Sequence, residues 1–167
     1  FIFSLSRKLN LQTKKIIKKI NKFKGLKYRQ EIIYNNNKIT FINDSKATNL
    51  ESVIVAMESF KNPIVLILGG RNKGADFRLL LPHIKSSHVR DIISYGEAGG
   101  QISTAIGDAV RSVQVTDLNS AVKTAQRLAA PGDVVLLSPG CASFDQFANF
   151  EERGRYFKTK VMEMMAA

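Results

Sequence analysis

Tryptophan is absent from the sequence, cysteine occurs once, histidine twice and proline four times in 167 residues. A single cysteine, Cys141, excludes an internal disulfide framework and fits a reducing compartment. His83 and His88 are five positions apart, outside the i,i+4 spacing of a helical zinc pair, and no second cysteine supports them. Both read as surface histidines. With no histidine at triad spacing, Cys141 reads as a buried structural residue rather than a nucleophile. No apolar run approaches the roughly 18 residues that span a bilayer. Phe1-Ile2-Phe3 is too short for a signal-peptide core. The expectation is a soluble, cytoplasmic chain, and a first residue that is Phe rather than Met fits a fragment. Two nucleotide signatures are also missing. GGRNKG at 69–74 matches neither the Walker pattern G-x-x-x-x-G-K-[ST] nor the dinucleotide fingerprint G-x-G-x-x-G.

Acidic residues are scarce in one place only. Residues 1–43 hold eleven Lys and Arg against the single acid Glu31, whereas residues 44–167 hold 14 bases and 13 acids. The net charge of +11 is therefore almost entirely a property of the segment before Asp44. Such a segment could bind nucleic acid or anionic lipid. Only Phe23, Tyr28 and Tyr34 interleave with its charges, too few for a base-stacking surface, so a solvated connecting segment is the simpler reading. What is present is otherwise ordinary. Hydrophobic residues make up 44% and charged residues 23%, which excludes a disordered chain, a collagen and a coiled-coil rod. The length suits one domain with a core of its own.

Periodicity predicts an α/β chain. LQTKKIIKKINKF (11–23) places Leu11, Ile16, Ile17 and Ile20 on one side of a helix and lysines on the other. Strands are expected at 30–34 and 38–43, joined as a hairpin through Asn35, Asn36 and Asn37. Helices are expected at 49–60, 76–84, 98–106, 117–129 with Asp117 as N-cap, and 143–163. Strands are expected at 63–68, 90–95, 112–115 and 134–138. The continuous apolar runs at 63–68 and 134–138 suit strands covered on both faces. The alternation predicts a Rossmann-like, mostly parallel sheet with helices on both faces, preceded by a short helix and a hairpin.

Three polar clusters follow predicted strands, where ligands bind in open α/β sheets. NDSKATN (43–49) offers Asp44 as an acceptor for sugar hydroxyls and Lys46 as a point charge before a helix start. It could equally be a capping sequence built on Thr48 or Asn49. LGGRNKGADF (68–77) is a glycine-rich turn with two cations, able to hold a carboxylate or phosphate, or simply a solvated strand-to-helix turn. LSPGCASFDQF (137–147) has small residues that let a backbone approach a ligand, with Ser143 as a donor.

FINDSKATN (41–49), LILGGRNKGADF (66–77) and LLSPGCASFDQFANFEERGRYF (136–157), in this order and spacing, resemble the C-terminal domain of the Mur ligases, closest to the branch that adds D-glutamate. FKGLKYRQE (23–31) is a weaker match. Tyr28 stands where the family usually has His, and Arg29 is kept. Gly140 stands where Ala is frequent. The resemblance implies a division into residues 1–22, the tail of a central ATP-binding domain with its linker, and residues 23–167, the amino-acid-binding domain. It implies an ATP-dependent, amide-bond-forming ligase of peptidoglycan synthesis, with ATP, Mg2+, D-glutamate and UDP-N-acetylmuramoyl-L-alanine as cofactors and partners. ATP and Mg2+ would be bound mainly by the central domain. Lys46 would lie at the transferring phosphate. Thr48, Lys73, Ser143 and Phe150 would hold D-glutamate, and Arg29 and Asp44 would reach the nucleotide. A monomer is expected, without nucleic-acid or membrane partners. Lacking a P-loop, the chain alone is expected to be inactive. The alternatives are a sibling Mur ligase or folylpolyglutamate synthase domain, and a non-catalytic basic nucleic-acid-binding module.

Overall fold

The computed structural model describes residues 4, 5, 8, 9, 12–23, 25–36 and 38–166. Helix α1 (Thr13–Lys22) buries none of its residues: Ile17 and Ile20 are exposed and Ile16 is half-buried. Leu11, expected on the same stripe, lies outside the described residues.

Strands β1 (Glu31–Asn35) and β2 (Thr40–Asn43) pair antiparallel. The Asn36 side chain accepts from the Lys38 and Ile39 amides, an Asx turn that closes the hairpin. Asn37 is outside the described residues. The hairpin does not stand apart from the sheet, because β2 is itself its first parallel strand.

After β2 come α2 (Leu50–Glu58), β3 (Ile64–Gly69), a 3-10 turn (Phe77–Leu80), α3 (Leu81–Ser86), β4 (Val89–Tyr95) and α4 (Gly99–Ile106). They are followed by β5 (Arg111–Gln114), α5 (Leu118–Leu128), β6 (Val134–Gly140) and α6 (Phe150–Ala166). The sheet runs β1-β2-β6-β3-β4-β5, parallel from β2 to β5. Alternate residues of the buried strands feed two cores. Ile64, Leu66 and Leu68 join Leu50, Val53, Ile84 and Ile102 of α2, α3 and α4. Val65 and Ile67 join Leu118, Val122, Phe157 and Val161 of α5 and α6. The strand β3 is buried at every position, as its unbroken apolar run predicts.

The chain leaves β3 toward one face of the sheet and leaves β6 toward the other. A crevice therefore opens at the carboxyl ends of these adjacent strands. All three polar clusters lie at this edge. The Asn49 side chain caps α2 by accepting from the Ser52 amide, and Asp117 caps α5 by accepting from Ser120.

Two expected helices differ: the one at 76–84 forms as the 3-10 turn followed by α3, and the last starts late. The last helix begins at Phe150, seven residues later than its sequence suggests. Residues 141–149 are instead held as turns. The Ser143 carbonyl accepts from Gln146 and Phe147, and Asn149 and Glu152 close a reciprocal cap through the Glu152 and Ala148 amides. Ser143 therefore sits in a loop, not at a helix start.

Candidate functional site

The crevice is built from loops that hydrogen-bond to one another. Arg71 and Ala142 exchange both backbone hydrogen bonds, at 2.9 and 3.1 Å, as an isolated antiparallel bridge. That bridge sets the loop carrying Lys73 beside the loop carrying Ser143. On its other side Arg71 makes a two-pronged ion pair with Glu97, at 2.8 and 2.7 Å, tying the glycine-rich loop to the turn after β4.

Residues 28–30 form a strained arm over the crevice. Tyr28 and Gln30 have φ of 64° and 45°, left-handed values uncommon outside glycine, and they flank the exposed Arg29. The arm is over-determined by its contacts. The Tyr28 amide donates to Glu31, the Tyr28 carbonyl accepts from the Lys46 amide, and the Gln30 amide donates to Asp44 Oδ1. The Tyr28 ring meets Phe150 edge-on at 6.2 Å, and Lys46 Nζ lies 5.1 Å from the centre of the same Phe150 ring.

Two cavities flank the segment 44–51. One, of about 420 Å3, is lined by Arg29, Gln30, Asp44, Lys46, Glu51 and Ser52 among others. The other, of about 550 Å3, is lined by Thr48, Asn49, Glu51, Lys73, Gly74 and Asp76 among others. The structure thus brings Arg29, Asp44 and Lys46 together, and separately Thr48 and Lys73. Ser143 and Phe150 line neither cavity. Ser143 is buried, and Phe150 is half-buried beside Lys46.

Burial pushes the Asp44 carboxyl up from its usual value, while the Ser138 hydroxyl, the Gln30 amide and the Arg29 charge pull the other way. Burial also pushes the Cys141 thiol up to about 12, against the charges of Arg153 and Lys73, which removes it as a nucleophile at neutral pH. Among the described residues no group of three or more His, Cys, Asp or Glu could hold a metal.

Arg153 was not among the residues the sequence motifs singled out, yet it is fully buried. Its signal is in the helical spacing. Phe150, Arg153, Gly154, Phe157 and Val161 form one stripe, and an arginine in an otherwise apolar stripe marks a buried polar junction.

The family defined as Mur ligase, glutamate ligase domain, matches residues 28–141. The chain belongs to the Mur ligase family. Relatives named UDP-N-acetylmuramoylalanine–D-glutamate ligase include that of Chlamydia caviae, 43% identical over 94% of this chain and 37% of the relative. Another, from Desulfatibacillum aliphaticivorans, is 45% identical over 83% of this chain and 30% of the relative. The chain thus spans about a third of the Mur ligases it matches. Among solved structures, UDP-N-acetylmuramate–alanine ligase of Thermotoga maritima superposes with a TM-score of 0.68 over 98% of this chain and 36% of that one, at 14% identity. The bifunctional folylpolyglutamate/dihydrofolate synthase of Yersinia pestis superposes at 0.58 over 86% of this chain and 32% of that one, at 18% identity. At these identities the two structures report the fold alone.

Proposed function

We propose that this chain is the amino-acid-binding part of an ATP-dependent ligase that joins D-glutamate to UDP-N-acetylmuramoyl-L-alanine in peptidoglycan synthesis. The names of the relatives support the substrate. One structural observation carries the site: two cavities, one holding Thr48 and Lys73 and the other Arg29, Asp44 and Lys46, share Glu51 as a common wall. Residues 23–167 are assigned to the amino-acid-binding domain, and residues 1–22 to the tail of a preceding ATP-binding domain and its linker.

D-glutamate carries two carboxylates at neutral pH. A lysine with hydroxyl and amide donors is a fitting cradle for them, and we assign that task to Thr48, Lys73, Ser143 and the region of Phe150. Arg29 and Asp44 are assigned to the nucleotide, the cation to phosphate and the carboxylate to ribose hydroxyls. Lys46 is assigned to the negative charge that develops as a carboxyl phosphate is formed and then displaced by the glutamate amine. No side chain need act as nucleophile, because the attacking amine belongs to the substrate. This part of the enzyme works by positioning and charge stabilisation. The chain carries no Walker sequence, so the principal grip on ATP and Mg2+ is assigned to the preceding domain. Bound Mg2+ would offset phosphate charge, and no step on this chain is routed through it. We assign the reaction to the cytoplasm, in keeping with its nucleotide substrates.

The test is a chimera in which this chain replaces the matching third of the Chlamydia caviae ligase. With ATP, Mg2+ and UDP-N-acetylmuramoyl-L-alanine, phosphate release should depend on D-glutamate, while the chain alone releases none. A folded chimera that uses meso-diaminopimelate or L-alanine in preference to D-glutamate would contradict the assignment.

A further inference from the structure

The Arg153 guanidinium has no exposure to solvent and sits where three loops meet. Its Nε donates to Ser45 Oγ at 3.0 Å, Nη2 to the Ser45 carbonyl at 2.8 Å, and Nη1 to the Cys141 carbonyl at 3.0 Å. On the third side Gly70 leaves room for it. Gly70 has φ of 122°, and a Cβ there would lie 3.2 Å from Nη1. Ser45 passes the connection onward by donating to the Phe150 carbonyl at 2.8 Å, and Asn43 Nδ2 donates to the Gly154 carbonyl at 3.0 Å.

Every hydrogen-bond acceptor of this buried cation among the described residues is a neutral oxygen. A buried charge without a carboxylate at bonding distance is costly to desolvate, and its bonds to the Ser45 hydroxyl and the Ser45 and Cys141 carbonyls offset that cost, so a hydrocarbon in its place would leave those oxygens unpaired. What the hydrocarbon cannot supply is a rigid planar fork of donors that fixes the direction of two loops at once. The residues next to its acceptors are the assigned ligands. Lys46 and Thr48 follow Ser45, and Ser143 follows Cys141 by two positions. Nearby, Asp145 Oδ1 is buried without a hydrogen-bond partner among the described residues, and burial pushes the Tyr95 hydroxyl up to about 12 while the Arg153 side chain pulls it back.

We propose that Arg153 is a positioning residue for the amino-acid site: it sets the spacing between the loop of Lys46 and Thr48 and the loop of Ser143. This rests on the functional reading above. Its test is read first on the loops themselves and only then on the ligand.

The experiment uses the full chain with Arg153→Met, Arg153→Lys and Arg153→Ala. Backbone amide resonances of residues 45–48 and 141–143 should shift in Arg153→Met while the remaining resonances keep their folded dispersion. D-glutamate affinity should fall at least tenfold. Arg153→Lys, with one point donor in place of the fork, should lie between. Millimolar guanidinium added to Arg153→Ala should return both sets of resonances and the affinity toward wild-type values, and it should have no effect on Arg153→Met, where the space is filled. Unmoved loop resonances in a folded Arg153→Met, or unchanged D-glutamate affinity, would overturn the proposal. If Arg153→Met does not fold, guanidinium that fails to restore Arg153→Ala overturns it instead. If the wild type itself ignores D-glutamate, the functional reading fails, and the loop resonances still decide the role of Arg153.

Discussion

The Tyr28 ring rests directly on the backbone of Gly154. A Cβ at Gly154 would lie 2.9 Å from Tyr28 Cε1, closer still to Cδ1, and 3.2 Å from the Ser45 Cβ. Gly154 is therefore a notch in α6 into which the arm bearing Arg29 is seated. Exchanging a helical glycine for alanine ordinarily stabilises by about 1 kcal/mol. Here Gly154→Ala should instead destabilise by about 1–3 kcal/mol through overpacking. Tyr28→Ala in the same chain should relieve part of that loss, leaving a non-additive term of at least about 0.5 kcal/mol in denaturant unfolding. Strict additivity would show that the two residues do not press on each other.

Asp44 supplies a pH test with a defined sign. Burial is the largest influence on its carboxyl and raises its pKa above the usual 3.8. A carboxyl whose folded pKa is raised binds its proton more tightly when folded, so this group's contribution to stability falls as pH rises from about 4 through the raised value. Asp76, Glu97, Asp91 and Asp117 are shifted the other way and gain in the same range, so the wild-type curve alone mixes the two. The difference between Asp44→Asn and wild type isolates the term. The variant's relative stability should be greater at pH 7 than at pH 4. A difference that is flat or opposite in slope would contradict the burial argument.

At the amino end of the sheet, away from the crevice, Asp91 is buried and paired with Arg90 at 2.9 Å and with Arg111. Burial alone would raise its carboxyl, but the two arginines outweigh burial and hold it below the usual range. Arg90 also reaches Asp133 at 2.8 Å and the Leu128 carbonyl at 2.6 Å. Asp91→Ala should cost about 3 kcal/mol, the low end for removing one partner of a buried ion pair, because both arginines keep access to water. Thermal unfolding reads the loss, and amino-acid binding at pH 7 should be unaffected. A stability change below about 1 kcal/mol would place Asp91 with ordinary surface pairs.

Periodicity carries far in this chain because the core obeys it. The runs at Ile64 to Leu68 and Val134 to Leu137 are buried strands, and Asp117 caps its helix as its position suggests. Sheet order is not legible in the same way, since β6 enters between β2 and β3 through contacts distant in sequence. The start of α6 is misread for a related reason. Residues 141–149 keep their turns through the bridge from Arg71, a long-range contact that leaves no local pattern. Within the site, Thr48 and Lys73 share a cavity, as do Arg29, Asp44 and Lys46, whereas Ser143 and Phe150 stand outside both. Arg153 was legible only as a misplaced charge in a helical stripe. Its bonds to Ser45 and Cys141 depend on the closure of the whole sheet.

The claim at the centre of this account is that the crevice binds D-glutamate. It is tested most directly by titrating the isotopically labelled chain with D-glutamate and with L-glutamate while following amide resonances. The D enantiomer should shift resonances around Thr48, Lys73 and Ser143 and bind more tightly than the L. Lys73→Met should weaken that binding by roughly tenfold to a hundredfold, the loss expected for a hydrogen bond to a charged group, without changing the fold. Shifts confined to other parts of the surface, or equal response to both enantiomers, would contradict the account.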